Sequence, residues 1–511
     1  MTTILEGLQA SGGGTSAIAA SGAPDLTHRG LHELALRTVT ALNAHGLGRG
    51  QRIAILLPNG PEMAAAFLAI AAGAQTAPLN PAYRADELDF YLTDLKVDAV
   101  VVKAGEDHAI RQVARDRGIP LIELEPLRAA GAGSFALRFP DGCQGAAARP
   151  GAAADADLAL LLHTSGTTSR PKIVPLRHAN VMASARHIAA TLSLTPADRC
   201  LNIMPLFHIH GLIAAVLSSV MAGGSVFCTD GFNALKFFGE LAEAKATWIT
   251  AVPTMYQTLL TRAARHQEII KANPLRLMRS SSASLPGPVM TELESVFGCP
   301  VIESYGMTEA AHQMASNPLP PRPRYPGSVG IAAGPDVAIM GEGGKLLGPD
   351  EIGEIVIRGP NVTSGYEANE KANQSAFVNG WFLTGDQGTL DKDGYLRLTG
   401  RLKEIINRGG EKISPREVDD VLMEHPAIAQ IVTFAMPHEK LGEDVAAAVV
   451  LKDGVEASET EIRDFARQRL ADFKVPRKLV FLKEIPKGAT GKLQRIGLAE
   501  KLGLGKAGLG K

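Results

Sequence analysis

Thr164-Ser165-Gly166-Thr167-Thr168-Ser169-Arg170-Pro171-Lys172 stands immediately after an apolar run at 158–162. An apolar strand that empties into hydroxyls, a glycine and a lysine offers successive backbone N–H groups, several O–H donors and one ammonium to a polyphosphate. The candidate phosphate contacts are Thr164, Ser165, Gly166, Thr167, Thr168 and Lys172. The spacing is not that of a Walker A loop. Read alone, the stretch has a second reading as a polar surface loop.

Outward from this loop, short β-rich runs at 52–57, 99–102 and 159–162 alternate with longer Ala/Leu-rich stretches such as 62–72, which predicts α/β layers. Between 130 and 155, Gly, Ala and Pro prevail without a period, which predicts a surface excursion before the strand. Beyond Ile352, short strands with turn signals at 354–358 and 394–398 predict a distinct β sub-body. Ser414, Pro415 and Glu417 then give a cap, a first-turn proline and a capping-box acid for a helix over 415–424. Ser458 and Glu461 repeat the spacing before an amphipathic helix toward Leu470. With strand runs at 428–435, 445–451 and 478–482, these helices predict a small α+β domain, followed by a frayed tail at 503–511.

The composition bounds the function. At roughly 150 residues per domain, 511 residues make about three domain-sized units, and 45% hydrophobic with 21% charged residues is ordinary globular usage. Lys plus Arg number 52 against 53 Asp plus Glu, so the net charge of -1 gives no global pull toward nucleic acid or an anionic membrane. An anionic ligand must be held locally. Cys143, Cys200, Cys228 and Cys299 form no metal-type pair, and reduced thiols in the cytoplasm are the expectation. The N-terminal stretch lacks the charge and apolar pattern of a signal peptide. The most apolar run, 212–228, carries Gly, Ser and Thr at its edges and reads as a buried helix then strand, not a membrane span.

Four further segments carry chemistry. Glu303-Ser304-Tyr305-Gly306-Met307-Thr308-Glu309 follows a short strand at 300–302 and groups an aromatic ring, a hydroxyl and a carboxylate on one turn. Tyr305 suits a base, Thr308 a phosphate, and Glu309 the hard oxygen coordination of Mg²⁺. In Trp381-Phe382-Leu383-Thr384-Gly385-Asp386 and Gly400-Arg401-Leu402-Lys403-Glu404, Asp386 accepts and Arg401 donates, a match to a ribose diol. Pro486-Lys487-Gly488-Ala489-Thr490-Gly491-Lys492 presents Lys492 as a point charge on a glycine-flanked loop. Each segment, alone, also reads as a turn or a solvated charge.

Taken in this order, the five segments resemble the adenylate-forming superfamily of acyl- and aryl-CoA synthetases, luciferases and peptide-synthetase adenylation enzymes. Ser169 and Ile173 stand where glycine is usual. The resemblance implies a large N-terminal domain at 1–399, a hinge at 400–403 turning on Lys403, a mobile C-terminal domain at 404–511 and an active site between them. It implies ATP, Mg²⁺ and coenzyme A as co-reactants. Lys492, Glu309, Thr308 and His208 are the implied catalytic residues, with Glu309 on the metal. Ser282, Ala283, Tyr305, Asp386, Arg401 and Lys412 join the nucleotide contacts, and Arg408, Gly409 and Gly410 the CoA contacts.

Within the superfamily the chain is similar to the oxalate:CoA ligase branch, beside the 4-coumarate:CoA ligases. The similarity lies in Leu162-His163-Thr164 through Lys172, Arg279-Ser280-Ser281-Ser282-Ala283-Ser284-Leu285, Met307-Thr308-Glu309-Ala310-Ala311-His312 and Ser316-Asn317-Pro318-Leu319-Pro320. Gly306 follows the coumarate branch. His208, His210, Ser281 and His312 are expected to converge as donors on the far carboxylate of a small diacid, which an apolar pocket would leave unpaired. Rival readings are a coumarate-like or medium-chain acyl-CoA synthetase and a carrier-loading adenylation enzyme.

Overall fold

The computed structural model describes the chain except residues 12, 142, 165–170, 489–492 and 506–511. Among the described residues the strands form four sheets. The first runs, edge to edge, Phe135–Arg138, Leu121–Pro126, Ala99–Lys103, Arg52–Leu56, Gln75–Pro78, Leu158–His163 and Ile173–Arg177. Its inner strands are parallel and its edge pairs antiparallel. Ile53, Ala54, Ile55, Val100 and Val101 are wholly buried, as expected of parallel strands covered on both faces.

The second sheet places Val301–Met307, Leu277–Ser280, Trp248–Ala251 and Arg199–Asn202 side by side in parallel, with His312–Ser316 antiparallel to Val301–Met307. Helix Pro61–Ala71 is buried on nearly every residue and belongs to a core shared by both sheets. A helix apolar all round has no face to give to water, so it packs as the layer between them. The run 210–221 is a buried π-helix, His210–Leu217, continued by Ser218–Met221, and Ser225–Cys228 is a strand, in agreement with the sequence expectation.

The third sheet is antiparallel: Asp336–Met340, Gly353–Arg358, Trp381–Leu390, Phe377–Val378 and Leu396–Arg401. The fourth is built from Ile406–Arg408, Glu411–Ile413, Ile428–His438, Gly442–Leu451 and Lys478–Phe481, with helices Pro415–Leu422 and Glu459–Arg467 covering a core of its own. The Ser458 cap is reciprocal: Glu461 N–H donates to Ser458 Oγ at 3.2 Å and Ser458 N–H to Glu461 Oε2 at 2.7 Å.

Four local expectations are corrected. The 130–155 stretch contains an edge strand, Phe135–Arg138, because it pairs antiparallel with Leu121–Pro126. The β sub-body begins at Asp336, before Ile352. The strand placed at 300–302 extends to Met307, so Tyr305 sits on a strand while Thr308 and Glu309 form the 3₁₀ turn after it. At Ser414 only half a capping box forms, since Glu417 N–H reaches Ser414 Oγ but the Glu417 carboxylate pairs with Lys474 Nζ at 2.6 Å.

Candidate active site

A cavity of about 270 Å³ lies between the third and fourth sheets and the end of the second. Ser282, Ala283, Tyr305, Asp386 and Arg401 line it from one side and Arg416, Asp419 and Arg495 from the other. Register sets its polar floor. Asp386 and Arg401 are directly opposite in adjacent antiparallel strands, and Arg401 Nε donates to Asp386 Oδ1 at 2.9 Å. Tyr305 Oη donates to Asp386 Oδ2 at 2.5 Å. Burial and the Asp386 charge push the Tyr305 phenol well above its ordinary range, so it remains a donor. A carboxylate fixed on both oxygens is preorganised for a pair of hydroxyls.

Thr164 and Lys172 close the neck of the hydroxyl-rich loop: Thr164 N–H donates to the Lys172 carbonyl at 2.9 Å, and Lys172 N–H to Thr164 Oγ1 at 3.2 Å. Ser165, Gly166, Thr167 and Thr168 lie outside the described residues, as does Lys492. Lys172 Nζ sits 4.3 Å above the ring of Tyr366, whose hydroxyl donates to Glu309 Oε1 at 2.8 Å. Burial and the neighbouring Lys403 lower the Lys172 ammonium, against the pull of Glu309. Burial raises Glu309, with Tyr366, Arg401 and Lys172 opposing the shift. A single buried carboxylate with one oxygen uncommitted to Tyr366 fits Mg²⁺, which takes one or two protein carboxylates and completes its shell with phosphate oxygens and water. Thr308 opens the same turn.

The expected acid-binding set is only partly brought together. The rings of His210 and His312 lie 4.9 Å apart, and His208 Nδ1 accepts the His210 backbone N–H at 3.2 Å. His210 does not offer a free nitrogen: Nδ1 meets Ser282 Oγ at 3.0 Å and Nε2 meets Thr250 Oγ1 at 2.6 Å. Ser281 does not converge with the imidazoles, because its buried hydroxyl donates to the Ser304 carbonyl at 2.9 Å. Its neighbour Ser282, held at φ 71°, turns its side chain to His210 and lines the cavity instead. Such a backbone angle in a non-glycine residue is strain of the kind found at functional sites.

Arg408, Gly409, Gly410 and Lys412 lie on the Ile406–Arg408/Glu411–Ile413 hairpin and do not line the cavity. Arg408 Nε instead donates to the buried Asp444 Oδ1 at 2.7 Å, and the turn glycines take φ of 61° and 102°. Lys403 stands in the connecting turn, whose Leu402 N–H donates to the Gly385 carbonyl at 3.0 Å.

Two residues escaped the sequence reading, and a third was quoted there without a role. Tyr366 orients Glu309. Arg495 donates to Glu404 at 3.0 Å and Asp419 at 3.0 Å, which ties down the chain three residues beyond Lys492. Arg279 is wholly buried beside the histidines. Only the last lay in a segment already singled out, at the head of Arg279-Ser280-Ser281-Ser282-Ala283-Ser284-Leu285.

Comparisons with known proteins identify the family. Residues 9–367 match the AMP-binding enzyme family and residues 417–492 the AMP-binding enzyme C-terminal domain. An oxalate–CoA ligase of Arabidopsis thaliana is 44% identical over 94% of both chains. A probable CoA ligase, CCL9, of Humulus lupulus is 44% identical over 98% of this chain and 96% of that protein. The crystal structure of ATP-bound MatB from Rhodopseudomonas palustris superimposes with a TM-score of 0.87 at 31% identity, covering 98% of each chain. No helix among the described residues is long and apolar enough to cross a membrane. With both parts of the family pattern matched and relatives aligned over nearly the full length, the chain belongs to the AMP-binding enzyme family and is an AMP-forming acid:CoA ligase.

Proposed function

We propose that this ligase converts oxalate, ATP and CoA to oxalyl-CoA, AMP and pyrophosphate. The observation that carries the choice of acid is the buried cluster of His210, His312 and Arg279 behind Ser282. An aromatic or fatty acyl chain would leave the Ser282 hydroxyl at the cavity end of this cluster without an acceptor, whereas a second carboxylate supplies one. The name of the Arabidopsis relative supports the same acid.

In the first half-reaction a carboxylate oxygen attacks the α-phosphorus of ATP and pyrophosphate departs. Asp386, with Arg401, holds the ribose diol; Ser282, Ala283 and Tyr305 border the nucleotide; Thr164, Lys172, Thr308 and the loop 165–168 take the phosphates. Bound Mg²⁺, held by Glu309, supplies positive charge against the phosphate oxygens. Lys492 sits between the two approaching anions and stabilises the charge that builds at the α-phosphate. His208 gates the acid end.

In the second half-reaction the thiol of CoA attacks the acyl carbon and AMP leaves. Residues 1–399 and 404–511 act as two bodies that turn about 400–403, with Lys403 as the pivot. The turn withdraws Lys492 and brings Arg408, Gly409, Gly410 and Lys412 to the cleft, where small residues admit the pantetheine arm. In the present structure Leu493 and Arg495 line the cavity while the hairpin does not, the arrangement suited to the first step. The four cysteines, none of them in a disulfide, fit a reducing compartment, and we place the reaction in the cytoplasm.

CoA-dependent AMP release measured with oxalate, malonate, coumarate and octanoate tests the proposal. Oxalate is expected to give the largest kcat/KM; turnover with coumarate and none with oxalate would overturn the choice of acid.

A further inference from the structure

Arg279 carries a positive charge into the interior without a carboxylate to meet it. No ion pair among the described residues involves it, and its Nε has no hydrogen-bond partner. Its terminal nitrogens reach only neutral groups: Thr250 Oγ1 at 3.3 Å, His312 Nδ1 at 3.4 Å and Gln313 Oε1 at 3.3 Å. A guanidinium has five N–H donors and no acceptor, and it does not lose its proton in a protein. Each of those contacts therefore has one possible direction.

The consequences propagate. His312 Nδ1 accepts, so it bears no proton, and its proton is on Nε2. Gln313 accepts through Oε1, an orientation locked by its amide nitrogen, which donates to Thr191 Oγ1 and to the Ala333 carbonyl, each at 3.0 Å. Thr250 Oγ1 accepts from Arg279, and its own proton has one acceptor within reach among the described residues, His210 Nε2 at 2.6 Å. His210 Nε2 then accepts and Nδ1 carries the proton, which goes to Ser282 Oγ at 3.0 Å. Ser282 accepts from His210 and points its remaining proton elsewhere, on the residue that lines the cavity. Independently, His208 Nδ1 accepts from the His210 backbone, which puts the proton of a neutral ring on Nε2. Burial first, and then the Arg279 charge, push both His210 and His312 well below the ordinary imidazole range, so both rings are neutral and the tautomers are defined.

We propose that Arg279 is a positioning residue that sets the direction of the whole hydrogen-bond chain, Arg279 to Thr250 to His210 to Ser282 and Arg279 to His312, so that the Ser282 hydroxyl meets the acid end with its own proton free to donate. The Ser282 hydroxyl is the terminal donor to the carboxylate that does not react. This last assignment rests on the oxalate reading; the direction of the chain does not. A hydroxyl whose proton is directed in this way donates to a second carboxylate, so the specificity is set by proton placement as well as by shape.

The test is direct. Protein labelled with ¹⁵N at histidine is examined by long-range ¹H–¹⁵N correlation, with His210→Gln and His312→Gln assigning the signals. His210 is expected as the Nδ1–H tautomer and His312 as the Nε2–H tautomer; the reverse at either ring overturns the proposal. Arg279→Met is expected to release both rings into mixed tautomers and raise KM for oxalate about tenfold or more, as for loss of a charge-assisted contact, with a smaller effect on KM for ATP. Should Arg279→Met fail to fold, Thr250→Val cuts the His210 branch alone: His210 is expected to lose its single tautomer while His312 keeps its own, and Thr250→Ser to restore it. Unchanged spectra in both Arg279→Met and Thr250→Val would overturn the proposal. Tautomers as expected with no turnover of oxalate would leave the chain standing and remove the oxalate assignment.

Discussion

The two ends of the site handle charge in opposite ways. At the nucleotide end Asp386 is paired with Arg401 and Tyr305, and Glu309 with Tyr366 under Lys172. At the acid end a wholly buried guanidinium meets only neutral side chains. Paired charges are neutralised before any ligand arrives and serve to position neutral groups, such as ribose hydroxyls. A buried cation that meets only neutral groups instead fixes which of them accepts and which donates. A paired end thus adjoins an end whose proton positions are set by a buried cation that does not itself line the cavity.

The strongest way to break this picture is at Lys492, the residue proposed to act between the two reacting anions. Lys492→Ala is expected to slow adenylate formation by about 10³-fold, the scale for losing a transition-state charge stabiliser, while thioester formation from supplied acyl-adenylate persists. Single-turnover measurement of each half-reaction decides it, and equal loss of both steps would remove the proposed role. Asp386→Asn probes the paired end. It is expected to raise KM for ATP by roughly 10- to 100-fold, because hydrogen bonds to charged groups contribute about 1.5–3 kcal/mol. An unchanged KM for ATP would exclude the ribose contact.

A third carboxylate sharpens the contrast. Glu303, wholly buried at the cavity wall, has Oε1 held by the Leu285 N–H at 2.9 Å while Oε2 has no partner. Burial pushes it up to about 7, against the pull of Arg416. Since the folded value lies above the unfolded one, the native state binds the extra proton between them. Stability is full below the unfolded value near 4.5 and is lost as pH rises through about 7, by on the order of 3 kcal/mol. Glu303→Gln should flatten that part of the slope in urea midpoints taken from pH 5 to 8; a wild-type midpoint independent of pH would contradict the assignment. The smallest effect is expected at the pivot. Lys403→Pro should reduce thioester formation by about tenfold, on the scale of a gating step, and adenylate formation less.

Much of the architecture was legible because its signals are local. The alternation of apolar strands and Ala-rich helices, and the Ser458 cap with its returning Glu461, depend on neighbours within a turn or two, and the structure has them where the pattern put them. The strand at Phe135–Arg138 was hidden because its partner, not its composition, makes it a strand. The same limit applied to side chains. Ser281 and Ser282 are adjacent and chemically identical, and nothing in the run Ser280-Ser281-Ser282 says which one bonds Ser304 and which one meets His210.

By itself the sequence determined the order of the loops, turns and caps, since each is a requirement of the backbone within a few residues. It also placed a cation, Arg279, directly before Ser280-Ser281-Ser282. Only the tertiary structure decided what that cation does. Its partners come from strands Trp248–Ala251 and His312–Ser316 and, through Thr250, from the π-helix at His210–Leu217. Those segments are far apart along the chain and become neighbours through the strand order of one sheet. Hydrogen-bond direction is a property of that neighbourhood: a proton's position on an imidazole follows from what faces it, and what faces it is fixed by packing.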